Sequence, residues 1–270
     1  MTAIVDDMND VLATLALNMR RAALLAATQT MRFFRKEDLD VAQKADASPV
    51  TEGDLAAHHA IVAELSATHP DVPLISEEGA LGPAPEAPYF LVDPLDGTKE
   101  FSSGRGEFTV NIAYVEMGAP VLGVVAAPAV ERLFWTPERG RAVEEHGARA
   151  LDVVGRLTEL RASPADPDRL RIVATKSHMN EATSAFLARY PDAELKSAGS
   201  ALKFCLLAAQ EADLYPRLGP TMEWDTAAAQ AVLEAAGGSV ETFDGERLRY
   251  SKPGWRNPHF LARADATGEL

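Results

Sequence analysis

The chain has 270 residues, 47% of them hydrophobic, enough for a full core in one large domain or two tightly joined lobes. Forty Asp and Glu against 26 Lys and Arg leave a net charge of −14, which argues against non-specific binding to nucleic acid or anionic lipid. Anionic substrates stay open, because bound metal ions can invert the sign of a local site.

Along the chain, the acidic start MTAIVDDMND is unlike the basic start of a signal peptide. The first ~35 residues carry Val11, Leu15, Met19, Ala22 and Ala26 at helical spacing, which predicts one long amphipathic helix. An extended stretch, KADASPV, ends at Pro49 and its successor. The next segment, TEGDLAAHHAIVAELSATHP, predicts a second helix with Thr51 as cap and Asp54 in its first turn.

Short β-like runs follow: PLISEE, YFLVDP, FTVNIAYVE, VLGVVAAP and RLFWTP. Their close spacing predicts an antiparallel or mixed sheet. The longest apolar tract, 118–130, is too short to span a bilayer and is broken by Gly and Pro, so no integral membrane segment is expected. The polar stretch around 141–163, running into SPADPD (163–168), is the candidate junction between lobes. Beyond it RIVAT, NEATSAFLARY, SALKFCLLAAQ, DLYPR, WDTAAAQAVLEAAGG and HFLARA alternate strand and helix, with Gly237 and Gly238 as a helix stop. The order predicts a layered α/β sandwich. The lone Cys205 rules out an intrachain disulfide and fits a reducing, cytoplasmic setting.

Most acids in such a chain are solvated surface. Four places differ, being strand ends or helix starts. ISEEG holds Glu77 and Glu78, which face opposite ways, so one can point into a cleft. DPLDGT can wrap Asp93, the Leu95 carbonyl and Asp96 round one point, an oxygen set that suits Mg2+. An Asx-type turn is the plainer alternative there and accounts for one Asp but not two. Gly97 and Thr98 then open a helix whose free N–H groups suit phosphate. Asp225 precedes a helix, where N-capping is the ordinary role, and Asp54 has a similar plain reading through the helix dipole. Acids at several strand ends can converge only at one edge of a folded sheet, the usual plan of two-metal phosphoryl-transfer sites.

The segments Ser76-Glu77-Glu78, Asp93-Pro94-Leu95-Asp96-Gly97-Thr98 and Trp224-Asp225 occur in the order found in the inositol monophosphatase superfamily, which the chain resembles from about residue 8 to 265. DASPVTEGD, DGTKEF with GEFTVNIA, GSALKFC and DLYPR are closer to its bacterial 3′(2′),5′-bisphosphate nucleotidase branch, of CysQ type. The resemblance implies an αβαβα sandwich of the inositol monophosphatase/fructose-1,6-bisphosphatase type in a single domain, 1–270. Its N-terminal α+β lobe, 1–155, would carry Asp54, Glu77, Asp93 and Asp96, and its C-terminal α/β lobe, 156–270, would carry Asp225.

It implies two or three Mg2+ ions, one on Glu77, Asp93 and the Leu95 carbonyl, another on Asp93, Asp96 and Asp225. Glu77 is then catalytic as well as a ligand, and Asp54 with Thr98 orients and deprotonates the attacking water. The substrate contacts implied are Glu77, Leu95, Asp96, Gly97, Thr98 and Asp225, with Lys203, Lys176, His178 and Arg217 as cationic candidates for the second phosphate. The substrate implied is adenosine 3′,5′-bisphosphate, a by-product of sulfate assimilation, hydrolysed to AMP and phosphate by a lithium-sensitive enzyme in the cytoplasm or peripheral at the inner membrane. An inositol monophosphatase, a broad sugar-phosphate phosphatase and a catalytically silent metal-binding protein are the alternatives. Trp224 is read as pocket wall or core, Cys205 as a buried thiol, and the neighbours His58 and His59 as poor metal ligands.

Overall fold

Helical spacing at the amino terminus produces α1 (Thr2–Phe33), which buries Leu12, Leu15, Met19, Ala22, Ala23 and Ala26. The stripe begins one residue later than predicted: Val11 is 63% exposed, and Leu12 takes the inward place. In this computed structural model the described residues are 2–34, 41–43, 49–148, 151–174 and 179–266. The stretch Asp10–Phe33 is long and apolar enough to cross a bilayer by composition, but its buried stripe packs on the protein's own sheet, as a core helix does.

β1 (Val41–Gln43) and β2 (Pro49–Thr51) form a two-stranded antiparallel ribbon leading into α2 (Glu52–Thr68). The predicted cap is present as a capping box. Thr51 Oγ1 accepts from the Gly53 N–H at 3.2 Å, and Asp54 Oδ2 accepts from the Thr51 N–H at 2.8 Å.

The β-like runs become β3 (Leu74–Ser76), β4 (Tyr89–Asp96), β5 (Thr109–Glu116), β6 (Ala119–Ala127) and β7 (Arg132–Glu138), with the short α3 (Thr98–Ser102) between β4 and β5. β8 (Arg141–His146) and β9 (Arg156–Glu159) complete a seven-stranded sheet in sequence order, parallel only between β3 and β4. The remaining strands are β10 (Arg171–Ala174), β11 (Glu194–Ser197), β12 (Leu214–Arg217), β13 (Ser239–Thr242) and β14 (Phe260–Arg263). They form a second sheet in the order β11-β10-β12-β14-β13, interleaved with α4 (Glu181–Leu187), α5 (Leu202–Ala208) and α6 (Ala227–Ala235).

The two-residue period of the strands sorts side chains into layers. Phe90, Val92, Val110, Ile112 and Val124 face α1 and α2. Tyr89, Leu91, Ala113, Val115 and Val125 face the other way, onto α5, α6 and the inner side of the second sheet. The outer side of that sheet, Ile172, Leu214 and Leu261, packs on Phe186 of α4. The order is helix, sheet, helix, sheet, helix, as expected for this sandwich. The middle layer sits close: a Cβ at Gly123 of β6 would lie 2.0 Å from the Ala228 carbonyl oxygen of α6.

The polar stretch 141–163 supplies β8 and β9, and the SPADPD segment that follows runs from the first sheet to β10 of the second. The polarity of the stretch reflects ion pairs along a sheet edge, Arg132 with Glu144 at 2.7 Å and Arg141 with Glu159 at 3.0 Å. One pair lies inside. Arg20 of α1 is 1% exposed and meets Glu145 of β8, 0% exposed, through Nε at 2.7 Å and Nη2 at 2.5 Å. Glu145 also accepts the Gly155 N–H at 2.7 Å. Removing one partner of a buried pair strands the other charge. Glu145→Ala is therefore expected to lower unfolding free energy by about 3–5 kcal/mol, measured by urea titration; a loss below about 1 kcal/mol, the worth of a surface pair, contradicts this reading.

Candidate active site

The site is assembled at the ends of β3 and β4. Because these strands run parallel, the residue after β3 arrives beside the end of β4: the Glu77 N–H donates to the Val92 carbonyl at 3.1 Å. Pro94 has no N–H to give, and the β4–β5 register breaks between Asp93 and Asp96. Asp93 Oδ1 takes the Leu95 N–H at 3.0 Å, so the Asx turn considered from the sequence is real and employs one of the two acids. Gly97 then adopts φ +94°, where a Cβ would also lie 2.3 Å from Ser200 Oγ, so only glycine fits before α3.

Asp225 arrives from the other side, ending a 3-10 turn, Glu223–Asp225, that packs against β4 and β5. Thr226, not Asp225, occupies the N-cap position of α6; Asp225 Oδ2 accepts from the Met222 N–H at 2.8 Å and closes its own turn. Its neighbour Glu223 is 0% exposed and accepts from the Ser251 and Lys252 N–H groups at 2.8 and 2.9 Å, with Lys252 Nζ 2.7 Å away.

Burial raises Asp93 far above the ordinary carboxylate range, and the charges of Glu77, Asp96, Asp225 and Asp54 raise it further. Asp225 rises likewise through burial and then the charge of Asp96. Asp96 is pushed up to about 6 by burial, with Lys203 opposing the shift and Glu77 adding to it. Burial lowers the Lys203 ammonium to about 8 against the pull of Asp96. Among the described residues no three His, Cys, Asp or Glu side chains close on a common point at metal-ligand distances, and two of the acids here are turned to backbone donors. The donor set of carboxylates and the Leu95 carbonyl is all oxygen, so it could hold a hard divalent cation rather than zinc or copper.

Asp54 and Thr98 meet beside these acids. Thr98 Oγ1 donates to Asp54 Oδ1 at 3.2 Å, with the Leu95 carbonyl at 3.4 Å, while Thr51 Oγ1 holds Asp54 Oδ2 at 2.5 Å. Burial raises the carboxyl of Asp54, and its bonds to Thr51 and Thr98 restrain the rise.

A cavity of about 230 Å3 opens over this arrangement. Glu77, Asp96, Gly97, Thr98 and Asp225 line it together with Lys203, Tyr215 and Arg217. Asp54, Asp93 and Leu95 lie behind the lining, each at most 2% exposed. Lys203 Nζ donates to the Ser200 carbonyl at 2.6 Å and sits 5.2 Å from the Tyr215 ring centre. Arg217 Nη2 donates to the Pro220 carbonyl at 2.8 Å, while its buried Nε has no partner among the described residues.

Lys176 and His178 lie outside the described residues. Trp224 is 4% exposed and belongs to the core between the sheets, not to the cavity. Cys205 is 0% exposed and burial raises its thiol pKa, as read from the sequence. His58 bonds Ser76 Oγ at 2.9 Å, tying α2 to the residue before Glu77. The sequence reading assigned no part to Ser200, Tyr215, Thr221 or Thr226 of the cavity wall. The sequence places Ser200 at the start of the helical run SALKFCLLAAQ, but the helix begins at Leu202, and the Ser200 hydroxyl lies within reach of the carbonyls of Asp96 at 2.8 Å and Glu107 at 3.0 Å.

The comparisons with known proteins match this architecture over most of the chain. The sequence pattern of the inositol monophosphatase family fits residues 8–266. The 3′(2′),5′-bisphosphate nucleotidase CysQ of Salmonella typhimurium is 42% identical over 228 residues, spanning 82% of this chain and 88% of that protein. The crystal structure of CysQ from Bacteroides thetaiotaomicron superposes with a TM-score of 0.83 at 37% identity, covering 95% of this chain and 98% of that one. A Thermotoga maritima IMPase superposes with a TM-score of 0.70 at 25% identity, covering 94% and 92%. With its acids set at the ends of β3 and β4 in the same five-layered sandwich, the chain belongs to the inositol monophosphatase family.

Proposed function

We propose that this chain is a Mg2+-dependent phosphomonoesterase that removes the 3′-phosphate of adenosine 3′,5′-bisphosphate, yielding AMP and phosphate. The observation that carries the reading is the Thr98–Asp54 hydrogen bond of 3.2 Å, set beside an acid cluster whose cavity is walled by Lys203 and Arg217. A site that merely stored a cation would have no use for a hydroxyl–carboxylate pair of this kind. The curated relatives named for bisphosphate nucleotidase activity support the choice of substrate.

Glu77, Asp93 and the Leu95 carbonyl would hold one ion, and Asp93, Asp96 and Asp225 another. Bound there, Mg2+ neutralises phosphate charge and acidifies a water. Asp54, fixed through Oδ2 by Thr51, offers Oδ1 to the Thr98 hydroxyl. Thr98 donates to that oxygen and keeps its lone pairs for a water O–H, so the water's proton has a route to Asp54. The raised pKa of Asp54 makes it a better proton acceptor at neutral pH than an ordinary aspartate. N–H groups of Gly97 and Thr98 would receive phosphate oxygens, and Lys203 and Arg217 the second phosphate. A cytoplasmic setting and inhibition by lithium belong to the same proposal.

Hydrolysis of adenosine 3′,5′-bisphosphate and inositol 1-phosphate, compared by kcat/KM with Mg2+, tests the substrate. The bisphosphonucleotide is expected to be preferred; a strong preference for the inositol ester assigns the site to an inositol phosphatase instead. The metal reading has a pH signature. A carboxyl raised from 3.8 to about 6, as Asp96 is, favours folding fully below 3.8, and that contribution is lost as pH climbs through about 6. Cations compete for the ionised form. The rise in Tm produced by Mg2+ is therefore expected to be small at pH 5 and to grow towards pH 7.5; a rise independent of pH contradicts the assignment.

A further inference from the structure

On β5, beside the acids, two buried polar side chains lack hydrogen-bond partners among the described residues. Asn111 is 1% exposed, and neither Nδ2 nor Oδ1 has a partner; Thr109 is 0% exposed, and its Oγ1 has none. Buried polar atoms in folded proteins are nearly always paired, so an orphaned carboxamide calls for a reason. The strand register supplies one. Asn111 stands opposite Asp93, and Thr109 stands opposite Asp96. Residues opposite one another in an antiparallel pair present their side chains to the same face, with Cβ atoms about 5 Å apart.

That face is the inward one, shared with Leu91 and Ala113, against which α6 and the 3-10 turn carrying Asp225 are packed. An apolar residue would satisfy the packing there, as Ala113 and Val115 do two and four residues along the strand. Asp93 uses Oδ1 for the Leu95 N–H, which leaves further lone pairs on both its oxygens. A carboxylate that bridges two cations needs its plane fixed, and an N–H donor alongside does that without adding charge. Only the Nδ2 end of Asn111 suits the task, because Oδ1 would meet the carboxylate as a second acceptor.

We propose that Asn111 is a positioning residue for Asp93: its Nδ2–H donates to the Asp93 carboxylate as that carboxylate ligates divalent cation. Thr109 continues the same polar stripe towards Asp96. The inference rests on the reading that Asp93 is a metal ligand, and the experiment separates the two.

The full-length chain is compared with Asn111→Leu, which nearly keeps the shape and removes both polar atoms, and with Asn111→Val as a second, strand-favouring variant. Asp93→Asn is run in parallel. Mg2+ affinity is read by calorimetry without substrate, and Tm is read in EDTA. The Asn111 variants are expected to hold Tm in EDTA at or above the wild-type value, because an unpaired amide is lost. Their Mg2+ dissociation constant should rise about 10- to 100-fold, as for other groups that orient a metal ligand. An unchanged dissociation constant overturns the proposal, as does a fall in Tm in EDTA for both variants, which makes Asn111 a packing residue. Wild-type Mg2+ affinity in Asp93→Asn overturns the underlying metal reading itself; loss of binding there with none in the Asn111 variants overturns only the positioning role.

Discussion

Like charges brought close and partly out of water repel, and the end of β4 brings Glu77, Asp93, Asp96 and Asp225 under that constraint together. Two of the carboxylates rise well above their ordinary range, and the devices around them read as ways of tolerating the cluster. Pro94 turns the chain off the ladder after the first acid, and a left-handed Gly97 turns it again after the second. Ser200 grips the backbone of Asp96 from the second half of the chain. Lys203 places one buried cation against the acids, itself lowered to about 8 by the same burial. The seven-stranded sheet, held between helical layers on both faces, supplies the rigidity that lets such a patch persist.

Much of this was legible in the sequence because it rests on local rules. Thr51 with Asp54 is a capping box in letters and in space, and D-P-L-D-G-T states both its turns outright. The layered sandwich followed from the order of elements, helices and a run of strands first and alternating helix and strand after. Other features depend on tertiary burial, which no local pattern records. Glu145 looks like any surface acid in a polar stretch, yet it is buried because Arg20, 125 residues earlier, meets it. Glu223 is buried for a reason that also lies outside its own segment, the backbone of Ser251 and Lys252, 28 and 29 residues later. Asn111 sits inside an ordinary strand pattern, and only the register opposite Asp93 makes it conspicuous. Asp225 reads as an N-cap in the sequence, but a short turn ahead of α6 shifts the cap to Thr226.

One family includes proteins named for inositol phosphatase and for bisphosphate nucleotidase activity, so the layers themselves do not select a substrate. Selectivity is expected from the cationic part of the cavity wall. Lys203 and Arg217 give that wall positive charge, and the Tyr215 ring packs against the Lys203 ammonium. In a chain of net charge −14, this local cationic wall is what an anion with a second phosphate would find. Cations held by the acids would complete the inversion of sign.

The central claim is that the acids at the end of β4 hold the cations that drive hydrolysis. Asp96→Asn tests it most directly, because it removes a charge from a repelling cluster and so should not cost stability. The account predicts a folded protein, with Tm in EDTA at or above the wild-type value, whose hydrolysis of adenosine 3′,5′-bisphosphate in Mg2+ is nearly abolished. Hydrolysis at a rate close to wild type in a folded Asp96→Asn protein would contradict it.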